Sequence, residues 1–493
     1  MMLKSLLTIG LLQVLAMLIM LARTKGLALL LGPEMVGVMG VIDRLLAVIA
    51  QTASLSLPFA ALRFLPAEWA RGDGSYQRLL GRMTRVLLLM VGAATLLSLA
   101  VTWMRPALWG AELIGYRGIL LAGLLALPTL TLAPFLQNAL AGRLQHNQAM
   151  LFSVGHTFVL MAASLLGIWW MGLTGFYLLY GSAGVLLAGP VLRFLNRPEA
   201  GAPALPAAAG LKLPWPVWRF SLFLIGPTFT APFAALFVGY RVLDLYGAET
   251  TGWMQASLGL ALAVRAVLGS AHPVFLTPNV NREGMPAERM HWANEYQKTL
   301  GFLIGVVVPP LLLFPDLAVR ALYSSDFLPG AQFVFLFVLV EVVGLLAGTY
   351  QALIIAFDRM GFHVAQNVVA QLLVIGSAAV LIPWRGIAGA ALAGLVAQVF
   401  LFICTTTFLR VRYDLRLPTR NLLLYALMVI AIVGAGFLGA AIPGLAPAGL
   451  ALKAGAYLLL LILLALLLSR QDRANLRGHL GTLLVRLRPA GSL

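Results

Sequence analysis

The chain has 493 residues, 61% of them apolar and only 10% charged, where a soluble globular domain is about 45–50% apolar and about 25% charged. That balance excludes a water-soluble enzyme and predicts an all-α polytopic membrane protein. The excess of 34 Lys+Arg over 17 Asp+Glu then belongs to loops facing anionic lipid, with no nucleic-acid partner.

A span needs about 20 apolar residues, and the apolar runs predict about fourteen helices in chain order. They lie at 5–30, 35–62, 81–103, 118–142, 148–171, 173–194, 217–240, 250–275, 299–322, 331–357, 362–383, 386–409, 421–442 and 449–469. The first follows Lys4 with no small-residue cleavage site, so it is expected to remain as a span. It carries Arg23 and Lys25 near its far end. The turn LGPEMVG leads into the second helix, which has Asp43 and Arg44 about two turns in and Pro58 late, where a proline bends a membrane helix. The Pro/Ala/Gly-rich stretch NRPEAGAPALPAAAG, 196–210, reads as a linker. The seventh helix ends at Arg241, the eighth has Arg265 midway and Pro273 late, and the tenth holds Glu341 as its clearest buried acid. After Ser469, leucines spaced for one helix face alternate with arginines, which predicts an amphipathic helix lying on the cytoplasmic leaflet.

Basic residues test this map. With the N-terminus in the cytoplasm, 24 of them fall on cytoplasmic loops and 8 on the opposite face, while Arg44 and Arg265 lie inside spans. This asymmetry predicts both termini inside.

A repeat organises the helices. Gly32, Glu34, Gly37 and Met39 recur as Gly247, Glu249, Gly252 and Met254, each 215 residues on, and Pro58 matches Pro273 at the same offset. Further along, the turn Gly172-Leu173-Thr174-Gly175 matches Gly386-Ile387-Ala388-Gly389. Six helices precede the second copy, an even number, so the halves are parallel repeats about an axis along the membrane normal. The expected domains are a six-helix lobe at 1–195, a cytoplasmic linker at 196–216, a second lobe at 217–410, two extra helices at 411–470 and a tail at 471–493. The fold expected is two pseudo-symmetric six-helix lobes around a central cavity.

The LGPE-x-x-G turn, the paired six-helix lobes, the basic loop RFLPAEWARGDG (63–74) and the GIAGAA start of the twelfth helix resemble bacterial polysaccharide flippases. These belong to the multidrug/oligosaccharidyl-lipid/polysaccharide exporter superfamily. The resemblance implies export of an undecaprenyl-pyrophosphate-linked oligosaccharide from the cytoplasmic to the periplasmic leaflet of the inner membrane by alternating access, feeding exopolysaccharide, O-antigen or capsule synthesis. Its partners would be the bilayer, the lipid-linked glycan, a polysaccharide polymerase and other assembly proteins. Other branches of the superfamily would imply a peptidoglycan lipid-precursor flippase or a drug/cation antiporter.

No His-Glu-x-x-His, phosphate-binding loop or Gly-x-Ser-x-Gly is present, so no catalytic residue, metal site or cofactor is assigned. Charges inside a membrane cost at least about 2.5–3.5 kcal/mol each, which makes them the informative residues. In the superfamily the first two helices of each repeat line the cavity. The resemblance therefore makes Arg44, Arg265, Arg23, Lys25 and Arg241 candidates for a diphosphate, whose oxygens pair with guanidinium forks. Competing roles are an internal Asp43–Arg44 pair and snorkelling of Arg23, Lys25 and Arg241 to the interface. Glu341 and Asp43 are candidate sites for H⁺ or Na⁺ coupling, and Pro58 and Pro273 candidate hinges. Gln13, Gln51, Gln255, Gln332, Gln351, Gln366, Asn367 and Gln371 are candidates for sugar hydroxyls, or for bonds between helices.

Overall fold

The computed structural model describes residues 2–71, 73–143, 146–196, 211–269, 272, 276–280, 285–442 and 447–467. Pro273, almost all of the stretch 196–210 and the tail 471–493 lie outside the described residues.

Among the described residues the regular structure is helical throughout: α1 (Met2–Ser54), α2 (Leu57–Arg71), α3 (Ser75–Met104), α4 (Arg117–Leu124), α5 (Leu127–Gly142), α6 (His146–Leu195), α7 (Trp215–Gly269), α8 (Thr277–Val280), α9 (Pro286–Leu313), α10 (Pro315–Leu322), α11 (Val334–Ala356), α12 (Met360–Arg385), α13 (Ile387–Tyr413), α14 (Thr419–Ala441) and α15 (Pro447–Leu467). Ten stretches are long and apolar enough to span a membrane. Three of them (Leu15–Ser54, Gln148–Leu195 and Trp215–Gly269) run through a non-helical glycine, so each holds two of the expected spans. With the shorter apolar Ala448–Ile462 the number reaches the expected fourteen. Side chains such as Trp169, Leu186 and Leu96, at 82%, 76% and 70% exposed, suit lipid rather than water. The protein is a multi-pass membrane protein.

The turns are tighter than expected. Gly32 at φ 69°, ψ 177° and Gly247 at φ 83°, ψ 174° each redirect a continuous helix within a single residue. Gly172 and Gly386 also have positive φ, 61° and 56°. Left-handed backbone costs other residues about 1–2 kcal/mol, so glycine at all four positions is required by geometry.

The second expected span, 35–62, is interrupted. Leu55 and Ser56 have positive φ, 49° and 56°, and helix resumes at Leu57. Pro58, which lacks an N–H and would crowd the carbonyl a turn earlier, therefore sits in the first turn of α2, just beyond the break. Asn138 of α5 donates to the Pro58 carbonyl at 2.9 Å, and the Ser56 and Thr228 hydroxyls are 3.0 Å apart. The basic stretch expected as a loop from Arg63 stays helical to Arg71. A second proline, Pro315, ends α9 at Leu313 and divides the expected span 299–322.

By proximity the chain forms two compact units that do not follow the sequence halves. The first comprises Met1–Ala256, Val319–Gly330 and Gly361–Ala397; the second comprises Ser257–Ala318, Ala331–Met360 and Gln398–Leu493.

The first unit has two apolar cores. One joins α2, α3, α5 and α6 through Leu65, Tyr76, Met83 and Phe135; the other joins α1, α4 and α6 through Ile42, Leu46, Leu124 and Phe176. Helix ends expected on the cytoplasmic face converge on buried Arg143, whose guanidinium lies 4.3 Å from the Trp69 ring and donates to the Phe194 carbonyl at 3.2 Å. Ends expected on the other face also meet one another. Tyr116 donates to Glu34 at 3.3 Å, Tyr246 to the Ile382 carbonyl at 3.0 Å, and Trp253 Nε1 to the Asp326 carbonyl at 3.0 Å. On that face Trp103 and Trp384 are exposed and carry Arg117 and Arg385 on their rings at 4.6 and 4.2 Å, as a membrane-interface belt would.

The repeat is visible at atomic detail inside this unit. A methyl group on Gly37 would overlap the Ala248 carbonyl oxygen, and one on Gly252 would overlap the Pro33 carbonyl oxygen. Adding 215 to 33 and 37 gives 248 and 252, so the two contacts exchange under the repeat. Gly40 faces Gln255, its own equivalent. Such reciprocity marks a local two-fold relation. The two equivalent turns lie side by side, as in parallel repeats and unlike inverted ones.

The second unit is held by polar bonds between apolar helices, the usual glue of membrane bundles. Tyr350 of α11 donates to Asn294 Oδ1 at 3.1 Å and its hydroxyl is 3.0 Å from that of Tyr425 on α14. Gln297 of α9 donates to the Leu346 carbonyl at 2.6 Å.

Candidate functional site

A cavity of about 250 Å³ opens within the first unit, walled by α1, α5 and α6. Arg23 and Asp43, both on α1 but on opposite sides of the Gly32 kink, meet there with Gln51. The kink is what folds the two halves of α1 back toward a shared space. Helix α6 turns at Gly172 and then presents Phe176, Tyr177 and Tyr180 to the same cavity.

The geometry is specific. Phe176 and Tyr180 stack with centroids 5.9 Å apart and planes 14° apart. The Arg23 guanidinium lies over both rings, 5.2 Å from Phe176 and 5.6 Å from Tyr180. Its Nε is buried without a hydrogen-bond partner among the described residues. Tyr177, fully enclosed, donates to Asp43 Oδ1 at 2.8 Å. A cation, a carboxylate, an amide and aromatic faces thus share one small space.

The other expected site residues are placed differently. Arg44 turns away from this cavity, donates to Gln255 Oε1 at 3.0 Å and lies against Gly239, where a side chain would collide with its Nη1. Arg44 Nη1 and Gln255 Nε2 are both buried with no acceptor among the described residues. Neighbouring Asp43 is taken by Tyr177, so the expected internal Asp43–Arg44 pair is not among the ion pairs formed. Lys25 Nζ donates to the Arg320 carbonyl at 2.6 Å and to that of Tyr323, closing the end of α10. Arg241 pairs with Asp244 one turn on at 2.9 Å, both about one-third exposed. In the second unit Arg265 pairs with Glu341 at 2.8 Å, the acid nearly buried and the arginine half exposed.

Charge inside a span pointed to Arg23 and Asp43. Phe176, Tyr177 and Tyr180 were missed, because aromatics in an apolar helix read as packing. Their spacing of i, i+1 and i+4 directly after a glycine turn was the available signal.

No family model matches the chain, and no curated protein matches it. Solved structures do. A lipid II flippase, MurJ, in an inward closed conformation aligns with a TM-score of 0.68 and 12% identity over 94% of this chain and 98% of its own. An inward-facing multidrug resistance MATE family transporter of the MOP superfamily aligns with a TM-score of 0.60 and 14% identity over 81% of this chain and 96% of its own. A MOP superfamily transporter from Pyrococcus furiosus, described as having a binding pocket of reverse polarity, aligns with a TM-score of 0.56 and 15% identity over 82% of this chain and 95% of its own. These likenesses identify the fold: the chain folds as the transporters of the MOP superfamily do.

Proposed function

We propose that the protein is a flippase that carries a polyprenyl-diphosphate-linked glycan from the cytoplasmic to the periplasmic leaflet of a bacterial inner membrane, with both termini cytoplasmic. The observation that carries this reading is the extent of its structural likeness to a lipid II flippase, 94% of this chain, against 81–84% for the MATE transporters. Charge supports it. The span Leu15–Ser54 holds Arg23, Lys25 and Arg44 against Glu34 and Asp43, a cationic excess that favours an anionic diphosphate over a cationic drug. Arg44, with Nη1 lacking an acceptor among the described residues, is the residue assigned to the diphosphate, and charge-assisted bonds to phosphate are the strong kind.

Outward movement of the anion is assisted by a membrane potential negative inside, by about 2.3 kcal/mol per charge per 100 mV. Asp43 and Glu341 are the candidate groups for H⁺ or Na⁺ coupling. Glu341 pairs with Arg265, so neutralising that acid would free the guanidinium, while Asp43 shares its cavity with Arg23.

Deleting the gene tests this reading. The expected result is accumulation of a lipid-linked oligosaccharide and loss of the exported polymer. Accumulation of lipid II instead would support a second reading, suggested by the neighbour named for that cargo. Sensitivity to cationic drugs with no lipid intermediate would contradict both.

A further inference from the structure

We infer that the cavity walled by α1, α5 and α6 is a subsite for a single sugar ring of the cargo, distinct from the groups assigned to its diphosphate. This deepens the flippase reading and rests on it. The volume, about 250 Å³, admits one pyranose.

Hydrogen-bond chemistry selects the occupant. Asp43 spends Oδ1 on Tyr177 and offers Oδ2 as an acceptor. Arg23 rests on the Phe176 and Tyr180 rings, and its Nε has no partner among the described residues. A ligand must therefore donate to a carboxylate and accept from a guanidinium within one small space. The diphosphate diester of the cargo only accepts and would face Asp43 as a like charge. An organic cation cannot accept through its charged centre and would face Arg23 as a like charge. A sugar hydroxyl does both. Gln51, exposed at the cavity wall, adds an amide that also donates and accepts. Leu46, Ala47, Ala50 and Leu130 provide an apolar wall for the carbon face of a ring.

Saturation-transfer NMR on the full chain in detergent gives the test, with methyl pyranosides (gluco, galacto, manno, rhamno and N-acetylglucosamine), inorganic phosphate and tetramethylammonium as probes. At least one pyranoside is expected to bind. Asp43→Asn should weaken it about tenfold, equivalent to about 1.4 kcal/mol, and Tyr180→Ala should abolish it. Tyr177→Phe, which keeps the ring, should weaken it less than Asp43→Asn does. Thermal unfolding of each variant separates lost binding from lost fold. Binding of no pyranoside, binding that survives both Asp43→Asn and Tyr180→Ala, or displacement of the pyranoside by phosphate or tetramethylammonium would overturn the inference. Pyranosides that bind to a protein whose deletion leaves lipid-linked glycans unchanged would refute the transport reading and leave the sugar pocket standing. No pyranoside binding, with lipid-linked glycans accumulating on deletion, would do the reverse.

Discussion

Single charges in the spans divide into those fully bonded within the protein and those that keep an unbonded N–H among the described residues, and that division orders their expected phenotypes. Arg44→Ala should abolish glycan export at normal protein abundance, since Nη2 bonds Gln255 while Nη1 has no acceptor among the described residues. Arg44→Lys should retain part of it, keeping the charge and losing the fork. Lys25→Met should instead lower the melting temperature, because two carbonyls at the end of α10 lose their donor. Arg265→Ala leaves Glu341 unpaired and should cost roughly 1–3 kcal/mol of stability, with Glu341→Gln in the same chain restoring most of it. A double-mutant cycle in thermal unfolding measures this, and additive losses would show that the pair contributes nothing. The sequence marked Arg23, Asp43, Arg44 and Glu341 as informative because a charge in a membrane is costly wherever it lies. It did not show that Lys25 serves backbone carbonyls, since carbonyl acceptors leave no trace in side-chain identity.

At the scale of helices, the contact of the two glycine turns is the feature with the sharpest consequences. Gly37→Ala and Gly252→Ala should lower the melting temperature by similar amounts, because the repeat exchanges the two contacts and either methyl would overlap a backbone carbonyl oxygen. A loss for one variant alone would break the two-fold relation. Gly37→Leu should force the helices apart at about 1–3 kcal/mol, the usual cost of overpacking, and reduce transport more than Gly92→Leu, where an added Cβ meets nothing within 4 Å. The spacing of 215 made the equivalence of the two turns legible in advance, but not their contact, which depends on how the two copies pack. The break at Leu55 and Ser56 was not legible. Pro58 announced a bend nearby, but neither Leu55 nor Ser56 favours positive φ, and packing of Ser56 against Thr228 and of Pro58 against Asn138 fixes where it falls.

For the molecule as a whole, the number of spans followed from the apolar runs, a composition-level consequence of the bilayer. The two compact units did not, because they depend on which distant segments, such as 319–330 and 361–397, pack with the first 256 residues. With the N-terminus inside, Ser75→Cys should label only from the cytoplasm and Ser325→Cys only from the periplasm. Labelling of both from one side would overturn the topology. Transport itself is measured most directly in proteoliposomes holding a polyprenyl-diphosphate-linked oligosaccharide, with a glycosidase outside reporting which leaflet the sugar occupies. The purified protein should move the glycan between leaflets, faster when a potential positive on the glycosidase side is imposed, and Arg44→Ala should not. Rates equal to those of empty liposomes, or movement of a cationic drug with no movement of the glycan, would contradict the flippase reading.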